Sequence, residues 1–331
     1  MLRIAINGFG RIGRHAFKVL QSKKGMEVVA INDLTSPAVL AHLLKHDTAY
    51  PDPQYTIKSD EKNIIVTGKK IPVFAEKDPG LLPWKKFKVD IVLECTGFFR
   101  DAEGAGKHLT AGAKKVVISA PAKGDIKTLV KGVNETEYKR EQIVNNASCT
   151  TNCAAPVMLV LEREFGIEKA MLTTVHSYTA SQVLQDGPSK DLREARAAAQ
   201  NMVPTSTGAA IAVAQAIPTL KNKFDGLSVR VPTITVSLTD ITAVLKKTVT
   251  RDDLNAAMKK AEKTYLKNIL VTTDEELVSS DFIGNPASAV VDLRLTNVVD
   301  GNLIKIVAWY DNEWGYANRL VEMAQFIGRK S

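Results

Sequence analysis

The stretch Gly8-Phe9-Gly10-Arg11-Ile12-Gly13 restricts the fold of this chain more than any other. Before it, Leu2–Asn7 is an apolar run with little alternation, which predicts a strand buried on both faces. After it, from about Arg11 to Gln21, apolar residues recur with a helical period. Glycine spacing of this kind is weak alone, and the flanking strand and helix give it meaning. The first glycine permits a tight turn, the second lets a ligand approach bare backbone, and the third lets helix and strand pack closely. A second apolar run, Glu27–Asn32, ends at Asp33, 20 residues past the third glycine. A carboxylate there reaches the ribose hydroxyls of a bound dinucleotide. It would also repel a 2′-phosphate, so the pattern favours NAD over NADP. Taken alone, Asp33 fits a solvated acid at a strand end as well.

The alternation of strand and helix continues. A helix is expected over Ala38–Lys45, then a loop over 47–54. Strands are expected at Tyr55–Ile57, Asn63–Thr67 and Lys70–Phe74, with Gly68 in a turn. Val89–Cys95, Lys115–Ser119 and Gln142–Val144 read as further strands, and Lys107–Ala111 as a helix. This is the pattern of an α/β Rossmann-type dinucleotide-binding domain with a doubly wound sheet, reaching to about Ser148. At 331 residues the chain has room for a second domain. There the pattern changes. Ala170–Val175 is a strand leading to His176, followed by a polar, core-poor segment, Ser177–Pro204. An Ala-rich helix opens at Thr207-Gly208 and runs to about Ile217. Strands follow at Val229–Val231, Thr233–Leu238 and Thr239–Thr248, then an amphipathic helix, Asp252–Leu266, begun by an aspartate cap. Val290–Asp292 and Ile304–Tyr310 are late strands, and a helix from about Trp314 to Ile327 ends the pattern. Strands with few intervening helices predict an α+β catalytic domain with a mixed or antiparallel sheet.

Chemistry concentrates in Asn145 to Pro156, NNASCTTNCAAP. It joins the end of an apolar strand to the helical period of Val157–Phe165. Ser148, Thr150, Thr151 and Asn152 are small polar residues at a helix start, able to cap exposed N–H groups. Those groups and the helix dipole favour an anion. Cys149 lies in that field, which stabilises a thiolate, the nucleophilic form. The spacing fits a buried structural cysteine equally well. A base for the thiol would come from the five histidines, His15, His42, His46, His108 and His176. His176 ends an apolar run and precedes Ser177-Tyr178-Thr179, although by itself it also fits a structural histidine.

Composition narrows the classes. A hydrophobic share of 45% is ordinary for a globular protein, and no apolar run approaches the ~20 residues of a membrane span. The chain enters a strand and then glycines from its first residues, so no signal peptide is expected. Three cysteines (Cys95, Cys149, Cys153) without a pairing pattern suggest a reducing compartment, and the cytoplasm is expected. The net charge of +8 favours acidic partners. Its lysines and arginines are scattered, and no nucleic-acid-binding motif accompanies them. A dinucleotide and phosphorylated small molecules account for the same sign. No metal site is expected.

ASCTTNC at Ala147–Cys153 resembles the active-site signature of the glyceraldehyde-3-phosphate dehydrogenase family. The resemblance runs from INGFGRIGR at Ile6–Arg14 to WYDNEWGYANR at Trp309–Arg319. It implies an NAD-binding domain over 1–148, to which the helix 314–331 returns, and a catalytic domain over 149–313. It implies that His176, opening HSYT, pairs with Cys149 as base. The thiolate would attack the aldehyde of glyceraldehyde 3-phosphate to give a thiohemiacetal, whose oxygen His176 and the Cys149 N–H stabilise. Hydride loss to NAD would leave a thioester, and inorganic phosphate would release it as an acyl phosphate. Two phosphate subsites are then required. Ser148, Thr150, Thr207 and the Gly208 backbone offer donors, with Arg230 as the shared cation and Thr179 completing the set by resemblance. For each threonine, helix capping is the competing role. Besides Gly8, Gly10, Gly13 and Asp33, the resemblance adds Arg11 and Ile12 (backbone at pyrophosphate), Lys77, Ser119 and Asn312, the last at the nicotinamide carboxamide. Pro188 with Asp33 matches the NAD-type pattern. A homotetramer with Ser177–Pro204 at subunit contacts is also implied.

Glu194 follows Arg193 where many relatives carry a second arginine. It is expected near the phosphate subsites, held off them by Lys190 if Asp191–Ala199 is helical. Two other readings are kept. One is an erythrose-4-phosphate dehydrogenase, whose His-containing loop usually differs from HSYTASQ. The other is a catalytically silent NAD- or RNA-binding relative, against which the intact Cys149 and His176 stand.

Overall fold

The computed structural model describes residues 1–51 and 54–330. Asp52 and Pro53, in the loop expected over 47–54, and Ser331, at the end of the range 314–331, lie outside the described residues. The chain forms two compact units. One holds Met1–Leu129, Glu135–Ala147 and the chain from Ala317 on; the other holds Val130–Asn134 and Ser148–Tyr316.

In the first unit, strands β1 (Leu2–Asn7), β2 (Met26–Asn32), β3 (Ile57–Ser59), β4 (Asn63–Val66), β5 (Lys69–Phe74), β6 (Ile91–Glu94), β7 (Lys115–Ile118) and β8 (Ile143–Asn145) form one sheet. Its order is β3-β4-β5-β2-β1-β6-β7-β8. The six strands from β5 to β8 pair in parallel, and β3 and β4 add an antiparallel edge. Helices α1 (Arg11–Ser22), α2 (Pro37–Lys45) and α3 (Ala102–Thr110) connect them. This is the doubly wound Rossmann order, with its switch point between β1 and β6. The apolar runs of β1, β6 and β7 are fully or nearly buried, as strands covered on both faces must be. Trp84 anchors the core between sheet and α3.

Most limits shift by a residue or two from the sequence reading, and two differences have a clear cause. The first hairpin strand lies at Ile57–Ser59, not Tyr55–Ile57, because its register is set by pairing Ile57 with Val66. Helix α3 starts at Ala102, where Asp101 accepts the Gly104 amide at 2.7 Å. Gly104 and Gly106 hide that first turn from a propensity reading.

In the second unit, α4 (Cys149–Glu164) leads to β9 (Ile167–Ser177), β10 (Val203–Ser206), α5 (Ala209–Ala216), β11 (Phe224–Val231), β12 (Ser237–Leu245) and α6 (Arg251–Lys263). Then come β13 (Leu270–Thr273), β14 (Ala289–Asp292), β15 (Asn297–Val299), β16 (Leu303–Tyr310) and α7 (Trp314–Arg329). The last helix begins in this unit and continues in the first. The sheet runs β10-β11-β9-β12-β16-β14-β13, with β15 pairing β16. It is mixed: β11–β9 and β13–β14 are parallel, the other pairs antiparallel. Helix α4 is buried along Thr150–Met158 and packs on this sheet.

Three expectations are corrected here. Asp191–Ala199 is turns, not helix, so Lys190 and Glu194 do not share a helical face; Glu194 instead accepts the Thr205 hydroxyl at 3.2 Å. Thr233–Val236 is not strand, because Val236 has φ 69° and breaks the run; one strand, β12, replaces the two expected. The cap of α6 is Thr250, whose hydroxyl accepts the Asp253 amide while Asp253 takes the Thr250 amide. Asp252 lies in the first turn, where its charge meets the helix dipole.

Candidate active site

Strand β8 ends at Asn145, and α4 begins only four residues later. Ala147 makes that turn in the left-handed region, φ 53°, with its amide held by Asn145 Oδ1 at 3.0 Å. A non-glycine residue there costs roughly 1–2 kcal/mol, and such strain gathers at functional turns. Ser148 caps α4 by accepting the Thr151 amide at 3.1 Å, which leaves Cys149 as the first helical residue.

Cys149 Sγ lies 3.5 Å from His176 Nε2. His176 Nδ1 is 2.7 Å from the Ser177 carbonyl oxygen, which can only accept. Nδ1 therefore carries the proton, and the Nε2 lone pair faces the thiol. Arg230 enters through sheet register: β11 runs parallel to β9 with Arg230 opposite His176. Tyr310 on β16 closes the group. Its hydroxyl sits 2.8 Å from both Thr150 Oγ1 and Thr174 Oγ1, and its ring meets His176 edge to face. The first turn of α4 is thereby tied to β9.

Burial pushes the Cys149 thiol up, against the opposing pull of Arg230 and of the Thr150 amide and hydroxyl. Burial, then the Arg230 charge, pushes the His176 imidazolium down, with the Ser177 carbonyl opposing. The field at the helix start is present, but burial outweighs it. Taken singly, both groups are neutral. Moving the proton from Sγ to Nε2 creates both charges together, and each then supplies the counter-charge the other lacks.

The remaining expected phosphate donors have local partners. Thr207 Oγ1 accepts the Ala209 amide at 3.2 Å, and Gly208 caps α5, which packs on α4. Thr179 gives its amide to Gln182 Oε1 at 3.2 Å, and its hydroxyl is 3.0 Å from Ser181 Oγ. Capping and substrate contact are compatible for Ser148 and Thr207. A hydroxyl that accepts a backbone N–H keeps its own proton to donate. Asn312 Oδ1 accepts the Ser237 hydroxyl at 3.0 Å. Sequence reasoning did not find Tyr310, Thr174 or Ser237 as site residues. Each is an ordinary polar or aromatic strand position until the strands are paired.

The first unit carries a cleft of about 350 Å³, lined by Gly8, Gly10, Asp33, Lys77, Thr96 and Phe99 among others. Gly8 has φ +88°, and a Cβ on it would lie 2.7 Å from the Thr96 nitrogen. A Cβ on Gly13 would lie 2.1 Å from the Gly8 oxygen, so helix and strand touch there. A Cβ on Gly10 would enter open space, and Gly10 caps α1 with no side chain to cover the first-turn amides of Arg11 and Ile12. The Arg11 side chain turns away to Asp47 at 2.8 Å. Asp33 is fixed by the Phe9 amide at 2.7 Å and the Thr35 amide at 2.9 Å. Ser119 follows the end of β7, beside Cys95, whose thiol burial pushes up to about 12 against the opposing effect of the Ser119 side chain. A glycine-capped helix start beside an anchored carboxylate suits a pyrophosphate and a ribose. Among the described residues no group of acidic, cysteine or histidine side chains could hold a metal ion.

The sequence profile of the glyceraldehyde 3-phosphate dehydrogenase NAD binding domain matches residues 2–102, and that of the C-terminal domain matches residues 148–312. Over 331 residues, 99% of both chains, the sequence is 51% identical to glyceraldehyde-3-phosphate dehydrogenase of Priestia megaterium. It is 50% identical, over the same shares, to that of Geobacillus stearothermophilus and to glyceraldehyde-3-phosphate dehydrogenase 1 of Bacillus subtilis.

Proposed function

The chain belongs to the glyceraldehyde-3-phosphate dehydrogenase family, and from that premise we propose that it is the phosphorylating type, with Cys149 as nucleophile and His176 as base. It oxidises glyceraldehyde 3-phosphate with NAD in glycolysis. The observation that carries the site assignment is the Cys149–His176 pair at 3.5 Å with the imidazole tautomer set by Ser177.

His176 Nε2 takes the thiol proton as Sγ bonds to the aldehyde carbon. The resulting oxyanion of the thiohemiacetal faces the His176 Nε2–H and the Cys149 amide. Bound NAD supplies the hydride acceptor, and the carbon is left as a thioester on Cys149. Inorganic phosphate then attacks the thioester carbon, and Cys149 leaves as thiolate, releasing 1,3-bisphosphoglycerate. Arg230, beside both reacting groups, supplies the cation for phosphate, with Ser148, Thr150, Thr179, Thr207 and the Gly208 amide as donors. In the first unit, assigned as the NAD-binding domain over 1–148 with the helix 314–331, Gly8, Gly10, Gly13 and the Arg11 and Ile12 amides take the pyrophosphate. Asp33 takes the ribose, Lys77 and Ser119 flank the cofactor, and Asn312 from the catalytic domain, 149–313, holds the carboxamide. We further assign the protein to the cytoplasm; among the described residues no helix is long and apolar enough to cross a membrane.

The deciding assay is NADH formation from glyceraldehyde 3-phosphate with and without inorganic phosphate. Turnover is expected to depend on phosphate and to exceed that on erythrose 4-phosphate. Equal rates without phosphate, or a preference for the four-carbon substrate, would overturn the assignment.

A further inference from the structure

One buried hydroxyl joins the base to the amide of Asn312, through groups that all lie in the second unit. Ser177 is fully buried, and its two backbone groups serve different ends. Its carbonyl accepts His176 Nδ1–H at 2.7 Å, and its amide donates to Ser237 Oγ at 3.2 Å. Ser237, the first residue of β12, passes its own proton to Asn312 Oδ1 at 3.0 Å. Ser237 is 2% exposed and Asn312 6%, so water does not compete freely for these bonds. The Ser177 side chain is held separately, donating to the Val236 carbonyl at 2.7 Å.

The order of donors has a chemical consequence. The Ser237 oxygen accepts from a main-chain N–H, and its single proton goes to the carboxamide oxygen. The Asn312 amide therefore cannot flip without losing that bond, and its Nδ2 is turned away as a donor. We propose that Ser237 is a positioning residue: it fixes which end of the Asn312 amide meets the cofactor, and by holding the Ser177 N–H it steadies the residue whose carbonyl sets the His176 tautomer. The cofactor half of this inference rests on the reading that Asn312 holds the nicotinamide carboxamide. A fixed Nδ2–H presents a donor to the carboxamide oxygen and rejects the ring orientation that would bring up the carboxamide NH₂. Without Ser237, both ends of the Asn312 amide become available and the orientation is no longer enforced.

Ser237→Ala, Asn312→Ala and the double variant, made in the full chain, test this by steady-state kinetics in NAD and by the pH profile of Cys149 alkylation. Loss of one hydrogen bond of ordinary strength corresponds to about a fivefold change. Ser237→Ala is expected to raise the KM for NAD about fivefold and to slow alkylation at neutral pH. The double variant should then be no weaker for NAD than Asn312→Ala. Ser228→Ala is the control, because Ser228 is equally buried on β11 and its hydroxyl has no hydrogen-bond partner among the described residues. It should change neither readout. An unchanged NAD KM in Asn312→Ala would remove the underlying reading of Asn312. A raised KM there with wild-type behaviour in Ser237→Ala, or multiplicative effects in the double variant, would overturn the role of Ser237. If Ser237→Ala does not fold, Ser237→Cys, which keeps a small and weaker donor, should give the same two changes at smaller size. Wild-type values for both in that variant would also overturn it.

Discussion

Cys149 and His176 show how burial sets chemistry at the scale of single residues. Burial depresses His176, so the unfolded chain takes up that proton first as pH falls through about 6.5. The histidine therefore contributes stability above that pH and loses it on acidification, at no more than about 1.4 kcal/mol per pH unit for one proton. Denaturant titrations between pH 4.5 and 7 should show wild type losing stability more steeply than His176→Asn. Parallel curves would mean that the folded imidazole titrates like a free one. Cys153, four residues on, is fully buried, its thiol is pushed up by burial, and its sulfur faces the Ala308 carbonyl. Cys149→Ser should bind NAD and lose nearly all turnover, whereas Cys153→Ser should keep most of its rate. The reverse pattern in a phosphate-dependent assay would put the nucleophile at Cys153.

At the scale of elements, the join between β1 and α1 separates packing from binding within one motif. An alanine at Gly13 places a methyl carbon 2.1 Å from the Gly8 oxygen, so α1 must move off β1. Overpacking of this kind costs about 1–3 kcal/mol, and Gly13→Ala should lower both the melting temperature and NAD affinity. An alanine at Gly10 meets nothing within 4 Å. Gly10→Ala should melt like wild type and still bind NAD more weakly, because its methyl occupies the pyrophosphate approach. Calorimetric melting with NAD titration separates the two. Full NAD affinity in Gly10→Ala would move the pyrophosphate away from this turn.

On the scale of the whole molecule, the second unit exposes apolar side chains that its own core does not use. Met171 and Val175 on β9, Leu227 on β11 and Leu303 on β16 are exposed. Leu184, Leu192 and Met202 are exposed in the segment expected at subunit contacts. Exposed apolar side chains on the neighbouring strands β9 and β11 suit an association surface, as the homotetramer implied by resemblance would need. Sedimentation equilibrium should give about four times the 36.1 kDa chain mass, and Met171→Glu should shift the distribution towards smaller species. A single-chain mass at micromolar concentration would sink the proposal.

The sequence by itself determined the parts whose physics is local. Glycine at the β1–α1 turn, a carboxylate at the end of β2 and a serine cap before Cys149 follow from backbone freedom and capping chemistry within a few residues. The Rossmann class was legible for the same reason, since alternating strands and helices leave few ways to bury both faces of a sheet. Helical and strand limits were misread where a non-local partner or a dihedral decided them, as at Ile57 and Val236. Only the tertiary structure decided what stands beside Cys149. His176 is 27 residues away, Arg230 arrives by the register of β11 on β9, and Tyr310 reaches Thr150 and Thr174 from β16. Strand order and register depend on which faces bury against α4, a property of the assembled unit that no short stretch encodes.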